Sequence, residues 1–179
     1  MLNPGFKFKL INFGPILLLY YLSISETDTN YENYFEIVSF NFQLIIIYFW
    51  VLKSPTLLGN GHVFFAGLIN DVVLGFPLGL SSLTFLVVSF VATYVKNMSI
   101  HTTLSSDWFT FLFALLISNT IFGILLINFS DITISVSKIS YNTFFTLMFF
   151  PIFWFLFSYY NSLTKVINKW LVLDQAIQL

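Results

Sequence analysis

Long apolar runs, separated by short polar stretches, divide the chain into six segments. A membrane-crossing helix needs about 20 apolar residues, because it rises about 1.5 Å per residue through about 30 Å of hydrocarbon. Five of the runs approach that length, and the sixth, residues 62–74, has only 13 residues. The pattern therefore predicts five or six spans, at residues 8–24, 35–52, 62–74, 78–95, 108–129 and 141–160.

The distribution of lysine decides between five and six crossings, because cytoplasmic loops are enriched in Lys and Arg. If the short segment does not cross, the lysines divide four against three between the two sides. If all six segments cross and the N-terminus is cytoplasmic, only Lys138 lies outside. The sequence thus predicts six spans with both termini in the cytoplasm, which places six lysines inside: Lys7, Lys9, Lys53, Lys96, Lys165 and Lys169.

The C-terminal stretch, residues 163–177, is predicted to form a separate amphipathic helix. Its apolar positions fall on one face at helical spacing, with two lysines alongside: Val166, Ile167, Trp170 and Leu171, with Lys165 and Lys169. A helix of this kind typically lies in the headgroup region of a membrane. Docking onto a cytoplasmic partner is the alternative interpretation.

Composition agrees with an integral membrane protein. Hydrophobic residues make up 58% of the chain and charged residues 8%, whereas soluble domains average about 25% charged residues. We therefore expect a single all-α polytopic membrane domain over residues 1–179. The net charge of −1 gives no electrostatic footprint for nucleic acid. With no cysteine and only two histidines, which have no second histidine at helical spacing, we predict neither a metal site nor a cofactor.

One short stretch, GLINDVVLGFPLGLSSL at residues 67–83, places an aspartate within an apolar run. An Asp at the centre of a membrane helix costs about 2.5–3.5 kcal/mol, so Asp71 is a candidate functional residue. The following Gly75, Pro77 and Gly79 predict a tight turn between two helices, because proline ends a helix and glycine adopts turn dihedrals. The small Gly67 would allow close approach of a neighbouring helix.

Asp71 needs hydrogen-bond donors inside the bundle. If the third helix begins at His62, Asp71 lies roughly 14 Å along it, close to the bilayer midplane; a start near Thr56 would place it nearer the outer surface. Ser118 and Asn119 lie in the only polar cluster within the fifth segment, at a similar depth. We predict that Asp71 bonds Asn119 or Ser118 and locks the third span against the fifth. A partner-contact or ion-coupling role is the alternative.

The same stretch resembles the signature of the rod shape-determining protein MreD family, G-L-x-x-D-x-x-x-G-x-P-L-G-x-x-x-L. Eight positions match over 17 residues, about a tenth of the chain: Gly67, Leu68, Asp71, Gly75, Pro77, Leu78, Gly79 and Leu83. The resemblance implies a six-helix transmembrane bundle, similar to the substrate-binding subunits of energy-coupling-factor transporters, in the bacterial inner membrane. Members commonly carry Arg near the inner loops, where this chain carries only Lys.

The partners that this resemblance implies are those of the cell-elongation complex. They are an MreC-like periplasmic scaffold, an MreB-like filament, and a RodA-type glycosyltransferase with its transpeptidase. No catalytic chemistry is attributed to the family, so the implied function is that of a non-enzymatic scaffold that maintains rod shape. Gly67, Asp71, Gly75, Pro77, Leu78, Gly79, Ser118 and Asn119 are then structural or partner-contact residues.

Two other classes of function are weighed against the scaffold. A substrate-binding subunit of a vitamin transporter would need a pocket with several convergent polar groups, and the outer halves of the predicted spans look poor in them. An intramembrane enzyme would need a second catalytic group at the depth of Asp71, and the other acid and the histidine within the predicted spans, Glu36 and His62, lie at the ends of their segments. The expectation is therefore a protein without enzymatic activity.

Overall fold

A computed structural model describes residues 13–25, 40–55, 57–98, 103–129 and 136–177, with the side chains of all but 136 and 168–177. The regular structure in these residues is entirely helical, which confirms the predicted all-α class. The helices are α1 (Gly14–Ser25), α2 (Phe42–Lys53), α3 (Asn60–Leu74), α4 (Leu80–Met98), α5 (Leu104–Phe129) and α6 (Val136–Ile177).

Three of these helices are long and apolar enough to cross a membrane: α4, α5 and the part of α6 from Ser137 to Ile167. Two more, α1 and α2, are apolar but have only 12 residues each. The protein is therefore a multi-pass membrane protein in character. Each of the six predicted segments contains a helix, although the bounds differ at several ends.

Helix α2 lies at the centre of the bundle. It packs against α1, α4 and α6, and every residue from Gln43 to Leu52 is buried. A helix that is apolar on all sides belongs in a protein interior rather than at one surface. Aromatic rings surround it: Tyr48 contacts Phe111 and Phe150, with ring centroids 5.1 and 5.9 Å apart.

The start of α2 is fixed by a polar cap. The side chain of Asn41 accepts a hydrogen bond from the Leu44 N–H at 3.1 Å, and the Asn41 N–H donates to Thr146 Oγ1 on α6 at 2.8 Å. An asparagine at this position satisfies a backbone donor that the first turn leaves open. The helix therefore begins at Phe42 rather than near residue 35, and residues 35–39 lie outside the described part of the chain.

The predicted break between the sixth span and the amphipathic tail is wrong. Residues 136–177 form one continuous helix, with Pro151 inside it. The junction at residues 160–163 contains neither glycine nor proline, so nothing in the local sequence ends the helix. On the predicted apolar face, Val166 and Ile167 are exposed, while the side chains of Trp170 and Leu171 lie outside the described residues.

The bundle has a distinct polar cluster at each of its two ends. We call the end that carries the turn from Gly75 to Gly79 the turn end; the start of α2 also lies there, since Gln43 on α2 bonds Asn70 on α3. We call the other end, marked by Lys53 and Asp107, the ion-pair end.

Candidate functional site

The turn between α3 and α4 forms as the sequence predicts. Gly75 follows the last residue of α3 in the left-handed conformation, with φ +67°, and Gly79 has φ +101°. Glycine adopts both values without the steric cost that a Cβ would impose. The carbonyl of Asp71 accepts the backbone N–H groups of Gly75 and Phe76, the latter at 2.9 Å, which closes the end of α3.

The Asp71 carboxylate joins the two helices of this hairpin. Its Oδ2 accepts the backbone N–H of Gly79 at 2.8 Å, and its Oδ1 accepts that of Ser81 at 2.7 Å. The side chain is fully buried. The first N–H groups of a helix have no partner within the helix and carry partial positive charge, so they stabilise an anion placed against them. Asp71 on α3 thus caps the N-terminus of α4.

The predicted bond from Asp71 to Ser118 or Asn119 is not formed. Asn119 instead donates from Nδ2 to Thr143 Oγ1 at 2.6 Å, which links α5 to α6, and the buried Ser118 Oγ has no partner within the described residues. The error lies in the direction of the Asp71 side chain. Asp71 lies in the last turn of α3, and its two oxygens face the backbone N–H groups at the start of α4 rather than α5.

A second set of polar side chains fastens the same hairpin to α2. Gln43 Nε2 donates to Asn70 Oδ1 at 3.2 Å, and Asn70 Nδ2 donates to Ser81 Oγ at 3.2 Å. All three residues are buried. This chain of bonds connects α2, α3 and α4 one residue away from Asp71, so the motif aspartate and its neighbouring asparagine hold three helices together.

Gly67 allows the two helices of the hairpin to touch. A Cβ built on Gly67 would lie 2.6 Å from the backbone nitrogen of Ser82 and still closer to its Cα. No side chain fits at that distance, because the obstacle is backbone rather than a movable side chain. The close approach predicted for Gly67 is therefore a direct contact between α3 and α4.

Two of the remaining motif positions, Leu78 and Leu83, face outward. Leu78 is 73% exposed and Leu83 is 43% exposed. With Pro77, Leu125 and Phe129 they line an apolar groove of about 400 Å³ between the turn and the C-terminal part of α5. The motif therefore has an inner set of residues that builds the hairpin and an outer set that presents an apolar surface.

A cavity of about 250 Å³ also lies at the turn end, between α3, α4, α5 and α6. Its lining includes four asparagines, which come from four parts of the chain: Asn41, Asn70, Asn119 and Asn142. The hydroxyl-bearing Ser81 and Thr84 and the basic Lys138 complete its polar wall. These polar groups converge on one pocket, whereas the sequence predicts few such groups in the outer halves of the spans. The sequence contains no local signal for the cavity, because each helix contributes only one or two of these residues.

The ion-pair end holds a buried charge pair that the sequence analysis did not single out. Lys53 Nζ lies 2.8 Å from Asp107 Oδ2, and Asp107 is fully buried. Trp154 Nε1 donates to the same oxygen at 2.8 Å, and the Lys53 ammonium lies 5.5 Å from the centroid of the Trp154 ring. These three residues belong to α2, α5 and α6. The pair fastens the central helix to the two longest helices.

Other reactive side chains are sparse in the part of the chain that the structure describes. His62 Nδ1 pairs with the hydroxyl of Tyr20 at 3.2 Å, and no group of three potential metal ligands occurs within these ranges.

Comparisons of the chain with protein-family models, with curated proteins and with solved structures find no match. Any assignment of function therefore rests on the residues themselves.

Proposed function

We propose that this protein is a non-enzymatic scaffold of the bacterial cell-elongation complex in the inner membrane, and that it is a member of the MreD family. In this proposal all six helices cross the membrane, both termini are cytoplasmic, and the turn end faces the periplasm. The protein would link a periplasmic scaffold and a cytoplasmic filament to peptidoglycan synthesis.

The observation that carries the proposal is that the motif residues fall into two groups, one that builds the hairpin and one that is exposed. Gly67, Asp71, Gly75 and Gly79 have internal roles, in helix contact, capping and the turn. Leu78 and Leu83, in contrast, project from the hairpin. A rigid element that presents an apolar surface suits recognition of another membrane helix, where packing rather than water exclusion drives association. The buried carboxylate is already occupied by two backbone donors, which favours a structural role over a catalytic one.

The two ends of the bundle suit different partners. The apolar groove beside Leu78 lies at the turn end and fits the membrane helix of a single-span, MreC-like periplasmic scaffold. At the ion-pair end, α6 extends to Ile177, beyond the apolar stretch that ends at Ile167, and this extension would meet the MreB-like filament. We assign the RodA-type glycosyltransferase and its transpeptidase to the complex only through the motif resemblance.

Cell shape tests the proposal. Depletion of the protein should convert rods into round cells, and the wild-type gene should restore them. The double variant Leu78→Ala with Leu83→Ala should fail to restore rods and should lose co-purification with the single-span periplasmic partner. The matched control is Leu116→Ala with Ile117→Ala, two residues of similar exposure on α5. Rods that persist after depletion would overturn the assignment.

A second candidate function is a substrate-binding subunit of a vitamin transporter. The polar cavity at the turn end favours it, because such a subunit needs several polar groups that converge on one pocket. Purified protein that carries a bound vitamin, together with an unchanged cell shape on depletion, would select this function over the scaffold.

A further inference from the structure

The size of the cavity at the turn end limits what it can hold. Its volume of about 250 Å³ lies just below the usual range of ligand pockets. Four helices contribute to its walls. A single-ring molecule fits this volume.

The polar wall offers mainly hydrogen-bond donors. Asn70 uses its carbonyl oxygen and one of its two amide protons within the protein, which leaves the second proton. Asn41 uses its side-chain oxygen to cap α2, which leaves its NH2 group. Ser81 Oγ accepts a bond from Asn70, which leaves its own hydroxyl proton. In the described residues these three groups have donor capacity that the protein itself does not use.

Asn119 supplies a hydrogen-bond acceptor to the same cavity. It donates to Thr143 through Nδ2, which leaves its side-chain oxygen as an acceptor. A ligand with an amide group would use both kinds of partner, and a ligand with a carboxylate would use the donors. Asn119 is part of the cavity lining, so leucine at this position would remove the acceptor.

The rest of the wall is apolar and mostly aromatic. Phe76, Phe85 and Phe122 line the cavity, and the rings of Phe76 and Phe122 meet edge to face, with centroids 5.8 Å apart and planes at 69°. Aromatic walls of this kind pack well against a flat ring. The ligand is therefore expected to combine a polar end with a planar apolar body.

The charge of the lining selects against cations. No acidic residue lines the cavity within the described residues, and the nearby Asp71 directs both carboxylate oxygens to backbone N–H groups. Lys138 is part of the lining. We propose that this cavity binds a small, non-cationic molecule that has an acceptor-rich end, a carbonyl or carboxylate, on a flat apolar ring. The inference does not depend on the scaffold function, and it names the substrate class if the transporter function holds.

The same acceptor-rich chemistry could reach the cavity from two sources. One is a soluble ring compound that enters from the aqueous side of the turn end. The other is the ester and phosphate region of a lipid, which enters from the bilayer. The experiment must separate these two sources, because both would occupy the same donors.

Binding is tested on the full-length protein in phosphatidylcholine nanodiscs with three probes that share one ring: benzoate, benzamide and benzamidine. Benzoate and benzamide carry acceptor oxygens, whereas benzamidine is a donor-only cation of the same size. We expect the first two to raise the unfolding temperature and benzamidine to have no effect. Asn119→Leu should weaken benzamide binding about tenfold or more, the effect of losing one hydrogen bond.

Two further variants make the test specific. Asn128→Leu carries the same substitution on the same helix at an exposed position, and it should bind like the wild type. Phe122→Trp should weaken binding by reducing the volume without removing a hydrogen bond, so it tests the cavity even if Asn119→Leu fails to fold. Neither binding measurement involves cell shape. A negative binding result therefore contradicts the cavity proposal and leaves the scaffold proposal unaffected.

Native mass spectrometry in nanodiscs that contain phosphatidylglycerol tests the lipid source. Retention of one lipid by the wild type and its loss in Phe122→Trp would support the acceptor-rich end of the ligand, with a lipid as its source, and would overturn the flat ring. Equal stabilisation by benzamidine and benzoate would overturn the proposed chemistry. If the probes do not bind and no lipid is retained, the cavity is not a ligand site and the proposal is wrong.

Discussion

Asp71 illustrates how a membrane protein can accommodate a buried carboxylate without a lysine or arginine beside it. Its two oxygens accept backbone N–H groups from Gly79 and Ser81, donors that the start of α4 would otherwise leave unsatisfied. Hydrogen bonds to an ionised acceptor are stronger than those between neutral groups. These two hydrogen bonds therefore satisfy both the buried Asp71 carboxylate and the backbone N–H groups at the start of α4.

Asp71→Asn should destabilise the protein by about 1–3 kcal/mol, because one carboxylate oxygen becomes an NH2 group that faces a backbone N–H. Asp71→Ala should cost more, since both backbone donors lose their partner. The free energy of unfolding in mixed micelles measures both effects. Thr120→Ala is the control, because that hydroxyl is exposed and bonds only its own helix. An Asp71→Asn protein as stable as the wild type would contradict the capping role.

Gly67→Ala should destabilise by about 1–3 kcal/mol, because the added methyl group meets the backbone of Ser82 and forces α3 away from α4. Gly123→Ala is the matched control. A Cβ at Gly123, also within a helix, would have nothing within 4 Å, so alanine there should be neutral or stabilising by up to about 1 kcal/mol. Similar unfolding free energies for the two variants would argue against the close contact at Gly67.

At the scale of elements, two contacts on α2 position the central helix. At the turn end Gln43 bonds Asn70 on α3, and at the ion-pair end Lys53 contacts Asp107 on α5. The residues between them are buried and mostly apolar, and Tyr48 also contacts Thr110 on α5 through its hydroxyl. Hydrogen bonds depend on distance and angle more strongly than apolar contacts do. The polar contacts therefore fix the register of α2 in the bundle.

Lys53→Met should destabilise by about 3–5 kcal/mol, because it leaves the buried Asp107 carboxylate without its cation. The double variant Lys53→Met with Asp107→Leu should recover most of that loss, since a buried pair is often replaceable by apolar residues. A double-mutant cycle on unfolding free energies measures the coupling. Lys96→Met, at an exposed position in α4, is the control and should change stability little. Additive effects at positions 53 and 107 would show that the pair contributes nothing specific.

At the scale of the whole molecule, the bundle separates its two kinds of polar feature. The turn end holds the hairpin, the apolar groove and the cavity, and the ion-pair end holds the buried charges. If the turn end faces the periplasm, as the lysine distribution predicts, ligand and partner surfaces lie on one side and the ion pair lies at the cytoplasmic interface.

Single-cysteine labelling tests this orientation directly, because the natural chain has no cysteine. Ser137→Cys at the start of α6 should react with a membrane-impermeant maleimide in intact spheroplasts. Asn97→Cys at the end of α4 should react only after permeabilisation. Both positions are exposed, and both substitutions leave every lysine in place. Labelling of the two cysteines from the same side would rule out six crossings with cytoplasmic termini.

The sequence alone determined the helical segments, the membrane character and the α3–α4 turn. Each of these depends only on neighbouring residues along the chain. The length of an apolar run can be counted, and Gly75, Pro77 and Gly79 set the backbone dihedral angles of the turn that contains them. The motif residues Gly67 and Asp71 were also identifiable, because a small residue and an acid stand out in an apolar run.

The tertiary structure alone decided which groups meet. The sequence could not exclude Asn119 as the partner of Asp71, because the choice depends on which way the last turn of α3 points. The Lys53–Asp107 pair joins residues 54 positions apart, and the cavity takes its asparagines from separate helices. Hydropathy and turn chemistry act locally, whereas these contacts depend on the rotation and register of packed helices. Only the assembled bundle fixes those two quantities.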